Sequence, residues 1–262
     1  MKKIFLIILT LAVMMISCDE VNTNERLIYV EPPQVSRAVL IEDFTGQYCV
    51  NCPRATEEIE RLVEEYGDTI VVAVAIHSGP FSKKKDEPSP LFTPTGDEYF
   101  SHWNLSSQPI GLIDRLFSST PFDYTDWGAG VNYELNKHAP VSISMTSTLD
   151  EDNSTGMVSV QVIGLDSALV KGKLQVWLVE DSIDSFQYLP DGSIQEHYNH
   201  MHVFRATLNG MWGDDVSVSH GEVVVKDYDL VLETSWVPAH CAIVAFLYDE
   251  VGVQQVSKKK LR

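Results

Sequence analysis

The stretch FTGQYCVNCPRA, residues Phe44–Ala55, decides the fold, and it holds two of the chain's four cysteines. It follows the apolar run VLI, residues 39–41, which is typical of a buried strand. From Pro53 onward, apolar side chains recur at spacings of three and four, which predicts a helix that begins at this proline. The continuous apolar segment TIVVAVAI, residues 69–76, comes next. We therefore predict a strand, a helix and a second strand parallel to the first.

The cysteines of this stretch, Cys49 and Cys52, could bind a metal, form a structural disulfide or carry out thiol chemistry. Zinc usually needs four ligands, and the sequence has neither a second close cysteine pair nor histidines at zinc-finger spacing, so we predict no metal. A disulfide at this spacing closes a very small loop and adds little stability. Thiol chemistry explains the position best, because unpaired N–H groups and the helix dipole favour a thiolate on Cys49. A purely structural disulfide remains an alternative.

The composition narrows the range of partners. The chain of 262 residues carries a formal charge of −18, whereas a nucleic-acid partner would require a basic face. Its hydrophobic content of 44% is sufficient for a packed core. The sequence contains neither a glycine-rich phosphate loop nor a nucleophile elbow, and we predict no cofactor.

The N-terminus is predicted to be an export signal rather than part of the fold. Two lysines precede an apolar run, residues 4–16, that is shorter than the roughly 20 residues of a bilayer-spanning helix. The run ends in MISC, residues 15–18, which resembles a bacterial lipobox whose cysteine becomes the lipid-carrying first residue. We therefore assign residues 1–17 to a lipoprotein signal peptide, and residues 18–35 to the lipidated Cys18 and a flexible tether.

Export also sets the expected location and redox environment. The cell envelope is oxidising, so a close cysteine pair can form a disulfide there. The acidic residues that follow Cys18 resemble a surface-export signal of the Bacteroidota. We predict an envelope protein that is bound to the membrane through a lipid on Cys18, at the outer membrane, either in the periplasmic leaflet or on the cell surface.

The sequence pattern changes near Pro140. From Val141 onward, short segments alternate between apolar and polar residues and are separated by turn-like clusters. This pattern is typical of an antiparallel β-sandwich. We therefore predict an α/β domain, residues 36–139, followed by an all-β sandwich domain, residues 140–262.

The segment DFTGQYC, residues 43–49, resembles thioredoxin-fold proteins, in which Asp-Phe, three residues and an aromatic residue precede the first active-site cysteine. The resemblance implies that Cys49 is the attacking thiol and that Cys52 resolves the mixed disulfide. It places Tyr48 where the family usually has tryptophan. It also implies that Asp43 is the buried carboxylate that helps to take a proton from the second cysteine.

From the residues alone, Asp43 can be interpreted in two ways. An aspartate in an apolar strand is costly unless it is paired or functional, which favours a role in chemistry. Alternatively, Asp43 could point into solvent at the strand end.

Two further features refine the thioredoxin resemblance. The segment SQPIG resembles the loop in which that fold keeps a cis-proline opposite the disulfide, which implies this role for Pro109. The residues between the cysteines are Val50 and Asn51, which differ from the Gly-Pro of thioredoxin. This pair tunes the reduction potential, so the choice between reductant, oxidant and isomerase stays open.

A wider resemblance covers nearly the whole chain. The lipobox and four later blocks resemble the Omp-twenty-eight-related outer membrane protein family of the Bacteroidota. The blocks are LIEDFTGQYCVNCPRA (40–55), QPIGLIDR (108–115), HYNHMHVFRATLNGMWG (197–213) and AHCAIVAFLYDEVGVQQV (239–256). The resemblance implies a surface or periplasmic lipoprotein with a thioredoxin-like domain and an Ig-like sandwich, but it supplies no defined reaction.

Two functions follow from these observations. The first is thiol–disulfide exchange with exported proteins, carried out by a Cys49–Cys52 disulfide centre. The alternative is a non-enzymatic surface lipoprotein that binds a partner and keeps this disulfide permanently. Solvent access to the sulfur of Cys49 distinguishes the two.

Two other groups of residues were considered as sites. The histidines of EHYNHMH, which are His197, His200 and His202, could hold a metal, but we interpret them as a polar cluster. The tryptophans Trp177, Trp212 and Trp236 are interpreted as sandwich-core or strand-end packing rather than a ligand platform.

Overall fold

Strand β1 (Val39–Thr45) runs parallel to β2 (Val71–His77), and helix α1 (Cys52–Tyr66) connects them. All seven residues of each strand are buried, as the continuous apolar runs predict. The helix carries Pro53 in its first turn, where the missing N–H has no partner to lose, and it ends at Gly67, whose positive φ suits glycine. This unit places the cysteine pair at the carboxyl end of β1.

The computed structural model describes residues 35–84 and 87–261. The predicted signal peptide, the lipidated Cys18 and all but the last residue of the tether lie outside the described residues. Within them, the remaining elements of the first part are β3 (Lys83–Lys84), β4 (Glu87–Pro88), α2 (Pro94–His102), β5 (Ile110–Ile113), α3 (Leu116–Ser119) and α4 (Trp127–Leu135).

From Val141 onward the described chain consists mainly of strands. They are β6 (Val141–Leu149), β7 (Thr155–Gly164), β8 (Val170–Glu180), β9 (Ile183–Tyr188), β10 (Ile194–His200), β11 (Val203–Thr207), β12 (Asp214–Val218), β13 (Val223–Val231), β14 (Cys241–Tyr248) and β15 (Val253–Lys260).

One mixed sheet joins both parts of the chain. Its order is β15-β14-β8-β11-β2-β1-β5, and β12 also pairs with β8. The junction lies between β11 and β2, where Val203 stands opposite Ala75 and the Ala75 N–H donates to His202 O at 2.8 Å. Strands β13, β7 and β6 form a second sheet, and β9 pairs with β10 in a separate hairpin.

The two faces of the mixed sheet are covered by different layers. Alternate residues of β8 and β14 divide between two clusters, because successive side chains of a strand point to opposite faces. On one face, Trp177 and Phe246 pack with Tyr99 and Phe100 of α2. On the other, β8 and β14 pack on the three-stranded sheet, while β1 and β2 pack on α1 and α4.

The predicted fold class, an α/β thioredoxin-like domain followed by an all-β Ig-like sandwich, is wrong. The strands on the two sides of Pro140 share one sheet, and Gln34–Arg262 forms one compact unit. Periodicity predicts which face of a strand is buried, but it does not predict which strand lies beside it. The predicted boundary between residues 36–139 and 140–262 stays a prediction, which expression of each segment alone would test.

Candidate functional site

The cysteine pair lies where β1 gives way to α1. Cys49 and Cys52 form a disulfide with their Cα atoms 5.4 Å apart, and Cys52 is the first residue of the helix. Each cysteine is only 2% exposed. Both sulfur atoms are therefore covered by other parts of the chain.

The β9–β10 hairpin provides one cover. The side-chain amide of Gln187 donates to the carbonyl oxygens of Cys49 at 3.0 Å and Gly46 at 3.3 Å. The Tyr188 N–H donates to Gln47 O at 2.9 Å. The ring of Tyr48 lies 5.2 Å from that of Phe186 and 5.5 Å from that of Tyr188, centroid to centroid. The hairpin thus binds both the backbone and the aromatic side chain that precede Cys49.

The segment that follows β2 provides a second cover. The Tyr48 N–H donates to Phe81 O at 2.9 Å, and the Leu91 N–H donates to Gln47 Oε1 at 3.2 Å. A Cβ on Gly46 would lie 2.4 Å from Phe81 O, so only glycine permits this close approach. The loop before Cys49 is therefore enclosed from two sides.

The loop before β5 contributes Pro109 and Gln108. The Gln108–Pro109 peptide bond is cis. The Gln108 side-chain amide donates to Thr45 O at 2.6 Å and Ser78 O at 2.9 Å, and its Oε1 accepts from the Phe81 N–H at 3.2 Å. Gln108 therefore ties the Pro109 loop to the carboxyl ends of β1 and β2.

A small polar cavity of about 20 Å³ lies beside Cys52. This volume is enough for about one water molecule. Residues from β1, α1, β2 and the hairpin region meet here: Asp43, Thr45, Cys52, Thr56, Ala75, His77, Gln187, Tyr198, His200 and Met201.

Asp43 is the most unusual residue of this cavity. It is 1% exposed, and its Oδ1 has no hydrogen-bond partner among the described residues. Burial penalises the carboxylate and raises the pKa of Asp43 to about 8. Asp43 thus faces the inside of the protein, not solvent, and can hold a proton near neutral pH.

Two histidines also line the cavity. The rings of His77 and His200 lie 5.3 Å apart, centroid to centroid. Burial lowers the pKa of His77 well below its usual value and that of His200 to about 4, and the nearby charge of Arg205 lowers both further. The Nδ1 of His77 has no hydrogen-bond partner among the described residues. Both rings are therefore neutral at physiological pH.

The three histidines of the segment EHYNHMH make different polar contacts. Besides its contact with His77, His200 approaches Phe186 O at 3.3 Å, whereas His197 contacts Asp184 and His202 contacts Asp181. Within residues 35–84 and 87–261, no group of three or more His, Cys, Asp or Glu side chains is placed to hold a metal ion.

Sequence reasoning missed Gln187 and the placement of His200 in the same cavity as Cys52. Gln187 carries no local signal, because its importance depends on a hairpin from a distant part of the chain. His77 could have been noticed, since a buried strand with no other polar residue ends on it. Burying an imidazole at the end of such a strand costs free energy unless the ring has a hydrogen-bond partner, so its presence indicates a partner or a function.

Solved structures show likeness in fold. HBP35 of Porphyromonas gingivalis superposes with a TM-score of 0.68 at 13% identity, over 86% of this chain and 76% of that one. Protein AGR_C_4864 from Agrobacterium tumefaciens gives a TM-score of 0.52 at 16% identity, over 86% of this chain and 95% of that one. Both alignments extend across Pro140, which agrees with one shared sheet. Among curated proteins, none matches the chain significantly.

The family is decided by sequence. The profile of the family described as "Outer membrane protein Omp28" matches residues 96–262, which is more than half of the chain. None of the helices in the described part of the chain is long and apolar enough to cross a membrane. The profile match confirms both the predicted family and the predicted location at the outer membrane: this chain belongs to the outer membrane protein Omp28 family.

Proposed function

We propose that this protein is an outer-membrane lipoprotein whose Cys49–Cys52 pair exchanges electrons with the thiols or disulfides of exported proteins. One observation carries the proposal: Asp43 is buried in the cavity that Cys52 lines, and its Oδ1 has no hydrogen-bond partner among the described residues. An unpaired buried carboxyl group destabilises a fold, and a disulfide across so short a loop recovers little of that loss. A role in proton transfer explains why such a group lies beside a cysteine.

The chemistry follows from the positions of the three groups. In the reducing direction, the Cys49 thiolate attacks a substrate disulfide, one substrate sulfur leaves as a thiolate, and a mixed disulfide forms. Asp43 then takes the proton of the Cys52 thiol, and the Cys52 thiolate attacks the Cys49 sulfur. The Cys49–Cys52 disulfide forms and the substrate leaves reduced by two electrons. The reverse sequence oxidises a substrate dithiol.

The pKa of Asp43 suits this step. A free thiol has a pKa near 8.5, and burial brings the pKa of Asp43 to about 8. Proton transfer between groups of similar pKa is nearly balanced in energy, in either direction. The cavity has room for about one water molecule to carry the proton.

The cover over the disulfide sets a condition on this function. Because Cys49 is 2% exposed, a protein substrate reaches its sulfur only after the β9–β10 hairpin or the segment after β2 moves away. The same observation favours a second function, a surface lipoprotein that binds a partner and keeps a permanent disulfide. The two functions differ in whether the pair can be reduced while the protein stays folded.

Thiol trapping of the purified protein in glutathione buffers would test the choice. We expect Cys49 and Cys52 to cycle between dithiol and disulfide without loss of the folded circular-dichroism spectrum. We also expect Asp43→Asn to slow exchange at pH 7 by about a hundredfold, the lower end of what one general base contributes. Asp184→Asn is the matched control, because Asp184 is an exposed carboxylate on the β9–β10 hairpin, and this variant should exchange at the wild-type rate.

A pair that stays oxidised in excess glutathione until the protein unfolds would contradict exchange and support the permanent disulfide. Equal exchange rates for wild type and Asp43→Asn would contradict the proton-transfer role alone.

The anchor is proposed from the lipobox at residues 15–18. Cells grown with a clickable fatty acid should label the wild-type protein, and Cys18→Ala should abolish both the label and retention in the membrane fraction. Unlabelled wild-type protein would contradict the anchor.

A further inference from the structure

A loop away from the disulfide has its backbone fixed by many side-chain hydrogen bonds, and the proposed disulfide chemistry does not involve it. The block FRATLNGMWG, residues 204–213, leads from β11 into a loop whose backbone is held by side chains. Asn209 Oδ1 accepts from the Val176 N–H at 3.0 Å, and Asn209 Nδ2 donates to Leu174 O at 2.7 Å. The amide of the buried Gln175 donates to Asn209 Oδ1 and to Gly210 O, each at 3.0 Å.

Two tyrosines fix the tip of this loop. The Tyr99 hydroxyl donates to Met211 O at 2.6 Å, and the Tyr248 hydroxyl donates to Trp212 O at 2.8 Å. Gly213 has a φ of +70°, and a Cβ there would lie 2.2 Å from Leu174 O. The backbone around Trp212 is therefore fixed from several directions, although the indole itself is only half-buried.

This loop places Trp212 in the lining of an open cleft of about 1110 Å³. The Trp212 ring lies 4.2 Å from that of His102 and 6.0 Å from that of Trp103, centroid to centroid. Arg115 also lines the cleft, and its guanidinium donates to Glu42 and lies over the rings of Trp103 and Tyr248. The cleft has the size and the aromatic lining of a small-molecule site.

The charges of the cleft are nearly balanced. Lys171, Lys173 and Arg115 line it together with Asp215, Asp249 and Glu250. Lys173 pairs with Asp215 at 3.0 Å, and Arg115 pairs with the buried Glu42. A ligand with a large net charge therefore gains little from this lining. A ligand with many hydroxyl groups gains more, since each hydroxyl both donates to carboxylates and accepts from ammonium groups.

We propose that this cleft is a binding site for a neutral oligosaccharide, with Trp212 as its stacking platform. A sugar ring has an apolar C–H face that packs on an indole, and hydroxyl groups at its edge that reach the charged rim. Because Trp212 is already fixed in the free protein, binding costs less conformational entropy than it would with a mobile side chain. This inference does not depend on the disulfide chemistry.

Titrations of the purified protein with cellotetraose, mannotetraose and chitotetraose, followed by tryptophan fluorescence and calorimetry, test the proposal. We expect at least one of these neutral sugars to bind, and Trp212→Ala to weaken that binding by about tenfold or more, as loss of a central aromatic anchor does. Trp236→Ala is the matched control, because Trp236 packs on the opposite side of the mixed sheet and should not affect binding.

A second variant covers the case in which Trp212→Ala fails to fold, as judged by circular dichroism. Glu250→Gln changes one exposed carboxylate of the rim and should weaken binding severalfold with the fold intact. The proposal is overturned if none of the three sugars binds at millimolar concentration, or if only a charged oligogalacturonate binds. It is also overturned if the folded Trp212→Ala protein binds as tightly as the Trp236→Ala protein.

Discussion

Glu42 and Asp43 are neighbours on β1, both are carboxylic acids and both are buried, yet they have opposite surroundings. Glu42 points to the aromatic face of the sheet, where its two oxygens accept from Arg115 Nε at 2.9 Å and Arg115 Nη2 at 3.0 Å. Asp43 points to the α1 face, beside Cys52, and its Oδ1 has no hydrogen-bond partner among the described residues. Burial of an acid is therefore not in itself a sign of function, whereas burial without a partner beside a reactive group is.

The largest effect should come from disrupting the buried ion pair between Glu42 and Arg115. Glu42→Gln leaves the guanidinium of Arg115 buried without its counter-charge, so we expect the free energy of unfolding to fall by about 3–5 kcal/mol. Urea unfolding at pH 7 measures this change. Glu58→Gln, which breaks an ion pair with the half-exposed Arg61, is the control and should change stability by less than about 1 kcal/mol. Equal effects for the two variants would show that the buried pair is no more important than a surface pair.

For Asp43, which has no such ion pair, we expect substitution to raise the free energy of unfolding rather than lower it. The folded-state pKa of Asp43, about 8, lies above the unfolded value of 3.8, so the folded state holds the extra proton between these pH values. Stability from this group is therefore complete below pH 4 and is lost as the pH rises towards 8. Asp43→Asn should remove this loss, so we expect its stability relative to wild type to increase with pH, by several kcal/mol between pH 4 and pH 8.

Thermal and urea unfolding of wild type and Asp43→Asn across pH 4–8 would test this. The quantity to compare is the difference between the two free energies of unfolding at each pH. Because His77 and His200 are present in both proteins, their own destabilisation at acid pH cancels in that difference. A difference that does not vary with pH would mean that Asp43 is ionised in the folded protein.

The smallest expected effect concerns the Cys49–Cys52 disulfide. Cys49→Ala/Cys52→Ala removes a cross-link over a very short loop, so we expect the free energy of unfolding to fall by about 2 kcal/mol or less. Comparison of the urea midpoints of the double variant and wild type measures the loss. A loss larger than that of Glu42→Gln would indicate a structural disulfide and would favour the permanent-disulfide function.

Local features of the fold could be predicted from the sequence, whereas distant pairings could not. The apolar runs of β1 and β2 and the periodic face of α1 depend only on neighbouring residues, and they predicted a strand, helix and strand close to those observed. Val203 pairs with Ala75 and Gln187 contacts Cys49 only because of the complete topology, which a single sequence does not encode in any short pattern. The same limit explains why the predicted separate sandwich proved to be part of one sheet.

The candidate site shows the same division. The cysteine spacing, Asp43 and Pro109 could be named from a short motif, and the structure places the cis peptide bond at Pro109. The cover over Cys49 comes from a hairpin far along the chain and was not predicted. Trp212 packs against the core, in agreement with its interpretation from the sequence, and it also lines the cleft, which a short motif does not reveal.

The junction between β2 and β11 has a consequence for how the chain reaches its folded state. An exported chain emerges N-terminus first, so β1, α1 and β2 leave the translocation channel long before Val203. Until then, the outer edge of β2 is unpaired and apolar except for the terminal His77, the kind of edge that recruits other strands into aggregates. Late closure by distant residues is also slow. We therefore expect the newly exported chain to depend on envelope chaperones, and depletion of these chaperones should increase its insoluble fraction in pulse-chase experiments.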